Sequence, residues 1–185
     1  MSNPPAPATH IRAVRSDDAP HIAAIYNHYV LHTIVTFEEE SVPDTELARR
    51  IQSVLDAGLP WLVAECDGQV MGYAYATRWK ERVGYRFSVE STVYLDQHAG
   101  GRGLGAHLYT TLFDALQARG MHSIMAGIGL PNDASVALHE KFGMTKVAHL
   151  ADAGCKFGRW IDVGYWQLIF PTMAPPASER IESRA

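Results

Sequence analysis

The sequence predicts an α/β fold of the α+β type, in which a mixed, mostly antiparallel sheet is flanked by helices. A D-G turn at Asp67-Gly68 joins two apolar runs into a β-hairpin. Four segments repeat apolar residues at helical spacing. The hairpin is followed directly by a further strand, and the remaining helices come only after that strand. This order favours a mixed layer over a doubly wound parallel sheet.

The elements follow in the order β-α-α-β-β-β-α-β-α-β-β. Residues 11–15 form a short strand, and Ser16 or Asp17 is expected to cap the first helix. Ser41 begins an S-V-P-D stretch that resembles a capping box for the second helix. The hairpin strands occupy residues 61–66 and 70–76, ahead of a longer strand at 87–96.

The second half alternates helices and strands. A strongly amphipathic helix ends at Gly120, and a strand follows at residues 122–128. A short helix at 132–142 is closed by Gly143. Two terminal strands are expected at about 145–151 and 160–170.

Length and composition indicate one domain of ordinary globular character. The chain has 185 residues, 47% of them hydrophobic and 19% charged, with a formal net charge of −4. The acidic balance argues against a general nucleic-acid binder. No apolar run approaches the roughly 20 residues of a membrane span, and no signal peptide is evident. We expect a cytoplasmic domain at 10–171 between disordered tails at 1–9 and 172–185.

The two cysteines predict structural thiols. Cys66 and Cys155 lie far apart, form no C-x-x-C pair and sit in apolar or strand-like surroundings. Buried thiols are therefore expected, with no metal site.

A glycine-rich loop, G-G-R-G-L-G-A at residues 100–106, is the strongest functional signal. Bare backbone ahead of a helix can approach a phosphate or pyrophosphate closely, and the helix N-terminus favours negative charge. A flexible strand-to-helix loop is the alternative. A Walker A loop ends in G-K-[ST] and is excluded because Gly105 is followed by Ala106 and His107. The G-x-x-G-x-G spacing does not match a Rossmann loop.

This loop resembles the acyl-CoA loop of the GNAT superfamily of N-acetyltransferases, whose pattern is Q/R-x-x-G-x-G/A. The leading Gln or Arg is replaced here by Gly100, which removes one side-chain contact and keeps the backbone cradle. Further stretches, V-E-S-T-V-Y, G-L-P-N-D-x-S, L-H-E-K-F-G and K-F-G-R-W-x-D-V-G-Y-W-Q-L, are similar to the phosphinothricin and methionine sulfoximine N-acetyltransferase branch. The resemblance covers residues 11–170 and implies a GNAT-like fold with an acyl-CoA site between the central strands.

The resemblance implies a set of residues that bind acetyl-CoA as co-substrate. Backbone N–H groups at the end of the strand at residues 87–96 would hold the acetyl carbonyl and the pantetheine arm. The loop and the start of its helix would hold the pyrophosphate. The implied residues are Val93, Tyr94, Leu95, Gly101, Arg102, Gly103, Leu104, Gly105, Ala106 and Asn132. Asn132 is also expected to be the N-cap of its helix.

Glu90 is the candidate general base. Alternation along its strand puts Val89, Ser91 and Val93 on one face and Glu90 with Thr92 on the other. A partly buried carboxylate with a raised pKa can take a proton from an acceptor ammonium. The resemblance proposes the same residue, and a surface glutamate on a sheet face is the alternative.

His139 is the second candidate catalytic residue. It stands where many superfamily members carry a tyrosine, in L-H-E-K-F-G. It could protonate the leaving sulfur or assist proton transfer, and a packing or helix-surface histidine is the alternative.

The resemblance implies that the acceptor is bound by the charged loop before the strand at residues 87–96 and around Phe37. A cation there could pair with the carboxylate or phosphinate of an amino-acid-like acceptor. A solvated charged turn is the alternative for the loop, and core packing is the alternative for Phe37. The candidate acceptor-binding residues are Lys80, Glu81, Arg82, Glu90, Ser91, Thr92 and Phe37. Trp160, Tyr165 and Trp166 are interpreted as core or dimer-interface residues.

The sequence thus predicts an acetyl-CoA-dependent N-acetyltransferase that acts by direct transfer on the free α-amino group of a small amino acid analogue. Phosphinothricin, methionine sulfoximine and methionine sulfone are the first candidate acceptors. A peptide N-terminus, a polyamine or an aminoglycoside is the alternative acceptor, and a non-catalytic acyl-CoA sensor is the alternative to an enzyme. The resemblance also implies a homodimer.

Overall fold

The computed structural model describes residues 9–170, which form seven strands, four α-helices and two 3-10 turns. The strands are β1 Thr9–Ala13, β2 Trp61–Cys66, β3 Gln69–Arg78, β4 Ser88–Leu95, β5 Ser123–Leu130, β6 Thr145–Lys156 and β7 Arg159–Ile169. The helices are α1 Ala19–His32, α2 Asp44–Asp56, α3 Leu104–Ala118 and α4 Asp133–Lys141, with 3-10 turns at Ser16–Asp18 and Val83–Tyr85. The predicted element order and the mixed α/β class are confirmed.

One sheet with the strand order β1-β2-β3-β4-β5-β7-β6 organises the molecule. Every neighbouring pair is antiparallel except β4 and β5, which run parallel. A parallel pair needs a crossover connection, and α3 supplies it between these two central strands. The predominantly antiparallel sheet therefore has its one parallel junction at its centre.

Helices cover both faces of the sheet. Tyr26 of α1 meets the ring of Tyr94 at 5.3 Å, whereas Gly105 of α3 faces the side chain of Leu95. Because consecutive side chains of a strand point to opposite faces, α1 and α3 lie on opposite sides of β4. The apolar stripe of α3 is buried at Leu104, Leu108, Leu112 and Leu116, a spacing that places these side chains on one helix face. Each such leucine stabilises the fold by about 1.5–3 kcal/mol.

The two predicted N-caps of the first half are wrong. The chain turns through a 3-10 helix after Arg15, and the Asp18 carboxylate accepts hydrogen bonds from the Arg15 N–H and the Arg12 guanidinium. In α2 the N-cap position is Pro43, and no side-chain cap bond forms within this segment of the described chain. The Asp18 carboxylate, bound by Arg12 and the Arg15 N–H, and a proline at position 43 therefore stand in place of the expected Ser16, Asp17 and Ser41 caps.

Other local expectations need smaller corrections. The first strand begins at Thr9 and ends at Ala13, two residues earlier than predicted, and β6 continues to Lys156 through an irregular register. Cys66 is half-buried and Cys155 is exposed, so the thiols are not buried. The predicted tails fall mainly on residues 1–8 and 171–185, which lie outside the described residues. Among residues 9–170, no helix is long and apolar enough to cross a membrane.

Candidate active site

The site begins where the two central strands separate. β4 pairs with β5 at Ser88–Ser123, Val89–Ile124 and Glu90–Met125, and within the described chain the ladder ends there. β4 continues to Leu95 paired with β3, and β5 continues to Leu130 paired with β7. The main-chain edge of β4 beyond Glu90 is therefore free to bind another molecule.

A cavity of about 330 Å³ fills this gap. Its walls come from β4, β5, α4, Val35 in the loop after α1, and one tyrosine each of α1 and α3. The predicted residues among its lining are Ser91, Thr92, Val93, Tyr94, Leu95, Asn132 and His139. The structure thus brings together seven of the predicted residues, which come from the catalytic, the cofactor-binding and the acceptor-binding sets.

Glu90 lies at the mouth of the gap and is half-buried. Its Oε1 lies 3.2 Å from the position that a Cβ on Gly127 would occupy, so the carboxylate rests over the bare backbone of β5. Burial raises the pKa of Glu90, while the Lys80 charge and the Gly127 backbone N–H oppose that rise. A carboxylate with a raised pKa in a cleft has the properties of a general base.

His139 is buried between α3 and α4 and uses both ring nitrogens. Nδ1 lies 2.7 Å from the Ser135 carbonyl oxygen, which can only accept, so Nδ1 carries the proton. Nε2 then accepts a hydrogen bond of 2.8 Å from the Tyr109 hydroxyl. Burial lowers the pKa of His139, against the effect of the Ser135 carbonyl. His139 is therefore a neutral imidazole with a fixed tautomer.

Asn132 is the N-cap of α4, as predicted. Its side-chain oxygen accepts a hydrogen bond of 3.2 Å from the Ser135 N–H. The same residue lines the cavity. The cap therefore orients Asn132 at the cavity wall and leaves its amide N–H₂ group as a possible donor.

The glycine loop joins the free end of β4 to α3. Gly101 and Gly103 have φ values of +74° and +76°, which favour glycine. Gly103 is the N-cap position, so the first backbone N–H groups of α3 point out of the helix. Gly105 has another role: a Cβ there would lie 3.2 Å from Leu138, so the glycine lets α3 pack closely on α4.

The predicted acceptor residues divide into two groups. Ser91 and Thr92 line the cavity. Lys80, Glu81 and Arg82 are exposed, and Lys80 places its ammonium 4.7 Å from the ring centre of Trp79. These three charged side chains therefore stand outside the cavity, although the Lys80 charge acts on Glu90.

Phe37 is the remaining predicted acceptor residue. It is 41% exposed and packs against Gly154 of β6, where a Cβ would overlap its ring. Its neighbour Thr36 receives a hydrogen bond of 2.7 Å on its carbonyl oxygen from the buried Lys156. Phe37 therefore belongs to a loop packed against β6 and is not among the residues that line the cavity.

Two site residues were missed by the sequence reasoning. Tyr109 is fully buried in α3 and lines the cavity. Tyr165 of β7 lies beside Glu90, where the nearby carboxylate contributes, after burial, to raising the pKa of Tyr165. Both tyrosines occupy positions where the spacing of apolar residues indicates core packing. Only their hydroxyl groups distinguish them from ordinary core residues.

Comparison with known proteins gives a consistent result. The family model of the acetyltransferase (GNAT) domain matches residues 11–164 of this chain. A phosphinothricin N-acetyltransferase of Streptomyces viridochromogenes is 44% identical over 92% of each chain. An L-methionine sulfoximine/L-methionine sulfone acetyltransferase of Salmonella typhimurium is 37% identical over 90% of this chain and 97% of the relative.

A solved structure matches the same region. The phosphinothricin acetyltransferase of Sinorhizobium meliloti, in complex with acetyl-CoA, superposes with a TM-score of 0.87 and 32% identity over 95% of this chain and 96% of its own. These matches agree with two features of the fold: the separation of the central strands and the glycine loop ahead of α3. The chain belongs to the GNAT family and is an N-acetyltransferase.

Proposed function

We propose that the protein transfers an acetyl group from acetyl-CoA to the free α-amino group of a small amino acid analogue of the phosphinothricin, methionine sulfoximine or methionine sulfone type. The observation that carries this proposal is the half-buried Glu90 carboxylate at the point where β4 and β5 separate. The named activities of the two curated relatives support the acceptor class.

Glu90 acts as the general base. An α-ammonium must lose a proton before its nitrogen can attack a thioester carbonyl. The raised pKa of Glu90 brings this carboxylate closer in basicity to the amine than an exposed glutamate would be. Transfer is direct, because neither Cys66 nor Cys155 lines the cavity as a covalent relay.

The residues present fit acetyl-CoA. The edge of β4 at Val93, Tyr94 and Leu95 that does not pair with β5 offers main-chain groups to an extended amide-containing arm, although the Leu95 carbonyl already accepts a hydrogen bond of 2.7 Å from the Tyr29 hydroxyl. The exposed loop at Gly101, Arg102 and Gly103, with the first turn of α3 at Leu104, Gly105 and Ala106, offers N–H groups and one guanidinium to a pyrophosphate. Asn132 would bind the arm from α4. The bound co-substrate supplies the activated acetyl group.

His139 and Tyr109 act as a pair near the departing sulfur. In the tautomer inferred from the Ser135 carbonyl contact, His139 has no proton on Nε2, so an acid role would fall to the Tyr109 O–H that donates to it. The thiol product has a pKa of about 8.5, so the thiolate is a fair leaving group and a weak acid is sufficient.

The acceptor's anionic group pairs with a cation at the mouth of the site. Lys80 and Arg82 are the candidates from the loop after β3, and both are exposed enough to reorient. Phe37, which packs on Gly154 of β6 outside the cavity lining, is the apolar candidate for contact with the acceptor side chain. Ser91 and Thr92 supply hydroxyl groups from β4.

Thiol release from acetyl-CoA across a panel of acceptors tests the proposal. The panel holds phosphinothricin, methionine sulfoximine, methionine sulfone, spermidine, an aminoglycoside and a short peptide, with Glu90→Gln in parallel. Turnover with the amino acid analogues that falls at least a hundredfold in the variant is expected. Turnover with another acceptor alone would overturn the substrate class, and binding of acetyl-CoA without any turnover would favour a sensor.

A homodimer is a further proposal, supported by apolar side chains on the ribbon of β6 and β7. Val147, Leu150, Trp160 and Ile169 are 48%, 45%, 67% and 52% exposed. β6 is an edge strand of the sheet, and exposed apolar side chains at an edge favour contact with another chain. Light scattering of the wild type and of Trp160→Lys is the test, and a monomeric wild type would exclude the dimer.

A further inference from the structure

Gly127 is the point at which Glu90 and Tyr165 approach each other. In the register of β5 and β7, Gly127 stands opposite Tyr165. A Cβ on Gly127 would lie 3.2 Å from Glu90 Oε1 and also 3.2 Å from Cε1 of the Tyr165 ring. The carboxylate and the ring therefore flank one bare backbone position, which is itself part of the cavity wall.

Trp79 extends the Tyr165 ring into a wall. It follows β3 directly, and its ring centre lies 5.4 Å from that of Tyr165 at an interplanar angle of 78°. The edge-to-face arrangement is one of the preferred geometries of aromatic pairs. The two rings hold each other in place on the same side of the sheet as Glu90.

This wall already faces a cation. The Lys80 ammonium lies 4.7 Å from the centre of the Trp79 ring, within the range of a cation–π contact. The same Lys80 charge acts on Glu90. The Lys80 ammonium is therefore in contact with Trp79 while its charge lowers the pKa of Glu90.

We propose that Tyr165 and Trp79 form an aromatic wall that binds the ammonium group of the acceptor beside Glu90. This inference rests on the proposed acetyl transfer and adds the part of the site that recognises the amine. A carboxylate attracts the ammonium and accepts its proton, and aromatic faces attract it without competing for that proton. The wall therefore positions the amine without neutralising it before Glu90 acts.

The rings also exclude water from Glu90. Burial is the main cause of the raised pKa of this carboxyl group, and Tyr165 is one of the side chains that bury it. The charged and titratable groups that face Glu90 are Lys80 from the loop after β3, Tyr75 from β3 and Tyr165 from β7. Shortening Tyr165 therefore admits water and brings the pKa of Glu90 back towards its ordinary value.

Tyr165→Leu and Tyr165→Phe form the matched pair for the test. Phenylalanine keeps the ring and leucine removes it, while both remain apolar. In Tyr165→Leu we expect kcat/KM for the acceptor to fall about tenfold, with KM for acetyl-CoA unchanged. In Tyr165→Phe we expect kcat/KM within twofold of the wild type, and Trp79→Leu should behave like Tyr165→Leu.

A second measurement does not depend on turnover. The side-chain carboxyl of Glu90 is titrated by ¹³C NMR, with its signal assigned by comparison with Glu90→Gln. A lower Glu90 pKa in Tyr165→Leu, with the wild-type value kept in Tyr165→Phe, supports the wall even if the acceptor class is wrong. Equal losses in both Tyr165 variants, or an unmoved Glu90 titration in Tyr165→Leu, would overturn the proposal.

Discussion

The Tyr109 hydroxyl donates a hydrogen bond of 2.8 Å to Nε2 of His139 inside the contact between α3 and α4. The other ring nitrogen of His139 donates to Ser135, so the imidazole is fixed from both sides. Tyr109 is fully buried, and burial raises the pKa of its phenol. The hydrogen bond between the two side chains therefore holds one proton, which belongs to the Tyr109 hydroxyl and lies at the wall of the cavity.

Tyr109→Phe tests whether this proton is used. Removing the hydroxyl leaves a buried acceptor without a partner and should cost about 1–3 kcal/mol of stability. If the proton reaches the leaving sulfur, kcat should fall about tenfold while KM for the acceptor stays constant. Tyr85→Phe on the exposed loop is the control. An unchanged kcat in Tyr109→Phe would assign the pair a packing role.

Lys80→Met tests the electrostatics of Glu90. Glu90 must be ionised to accept a proton, so activity falls as the pH drops through its raised pKa. The Lys80 charge lowers that pKa. Its removal should therefore move the acidic limb of the kcat/KM profile to higher pH. Arg82→Met is the matched control, and a limb that shifts equally in both variants would exclude a specific effect of Lys80.

Gly103→Ala tests the backbone of the glycine loop. At φ +76° an alanine costs about 1–2 kcal/mol. The resulting rearrangement should weaken acetyl-CoA binding about tenfold, as measured by calorimetry. Gly100→Ala is the control, because a Cβ at Gly100 meets nothing within 4 Å and its φ is ordinary. Equal affinities for the two variants would argue against a role for this backbone in binding.

Asp18→Asn tests the ion pair that replaces the predicted cap of α1. Asp18 is 4% exposed and binds Arg12 through two hydrogen bonds of 2.7 and 2.8 Å. Burial raises the pKa of Asp18, but the bonds from Arg12 and the Arg15 N–H outweigh it, so the pKa is lowered. The variant should lose about 3 kcal/mol in urea unfolding at neutral pH.

The pH dependence of that loss has a definite sign. A carboxyl group with a lowered pKa stabilises the fold above its ordinary value of 3.8 and loses this contribution as the pH falls through the lower, folded value. The difference between the wild type and Asp18→Asn should therefore narrow in acid. A difference that is constant from pH 7 to pH 2 would contradict the ion-pair explanation.

The order of the elements could be predicted because it depends on local periodicity. The burial of Leu104, Leu108 and Leu112 follows directly from their helical spacing. Gly120 and Gly143 end their helices with positive φ, as their positions indicated. The cap of the first helical turn is predicted at the wrong residue, because Asp18 accepts a hydrogen bond from the Arg15 N–H and is also bound by Arg12 of β1, a contact that local spacing does not reveal.

The site could be predicted only in part, for a similar reason. The alternation along β4 identified Glu90, and the resemblance identified the residues around it. The separation of β4 from β5 depends on a register between strands that are distant in the chain, and no local pattern encodes it. Tyr165 comes beside Glu90 through the pairing of β5 with β7. Its position could not be known before that register.

The short ladder between β4 and β5 has a mechanical consequence. Within residues 9–170, three residue pairs and the hydrogen bond from the His122 N–H to the Phe87 carbonyl join the half-sheet of β1 to β4 to the half-sheet of β5 to β7. An extended ligand bound along the free edge of β4 would add contacts between the two half-sheets where their strands do not pair. Amide hydrogens of residues 91–95 should then exchange more slowly, and the two half-sheets should unfold together at a higher temperature.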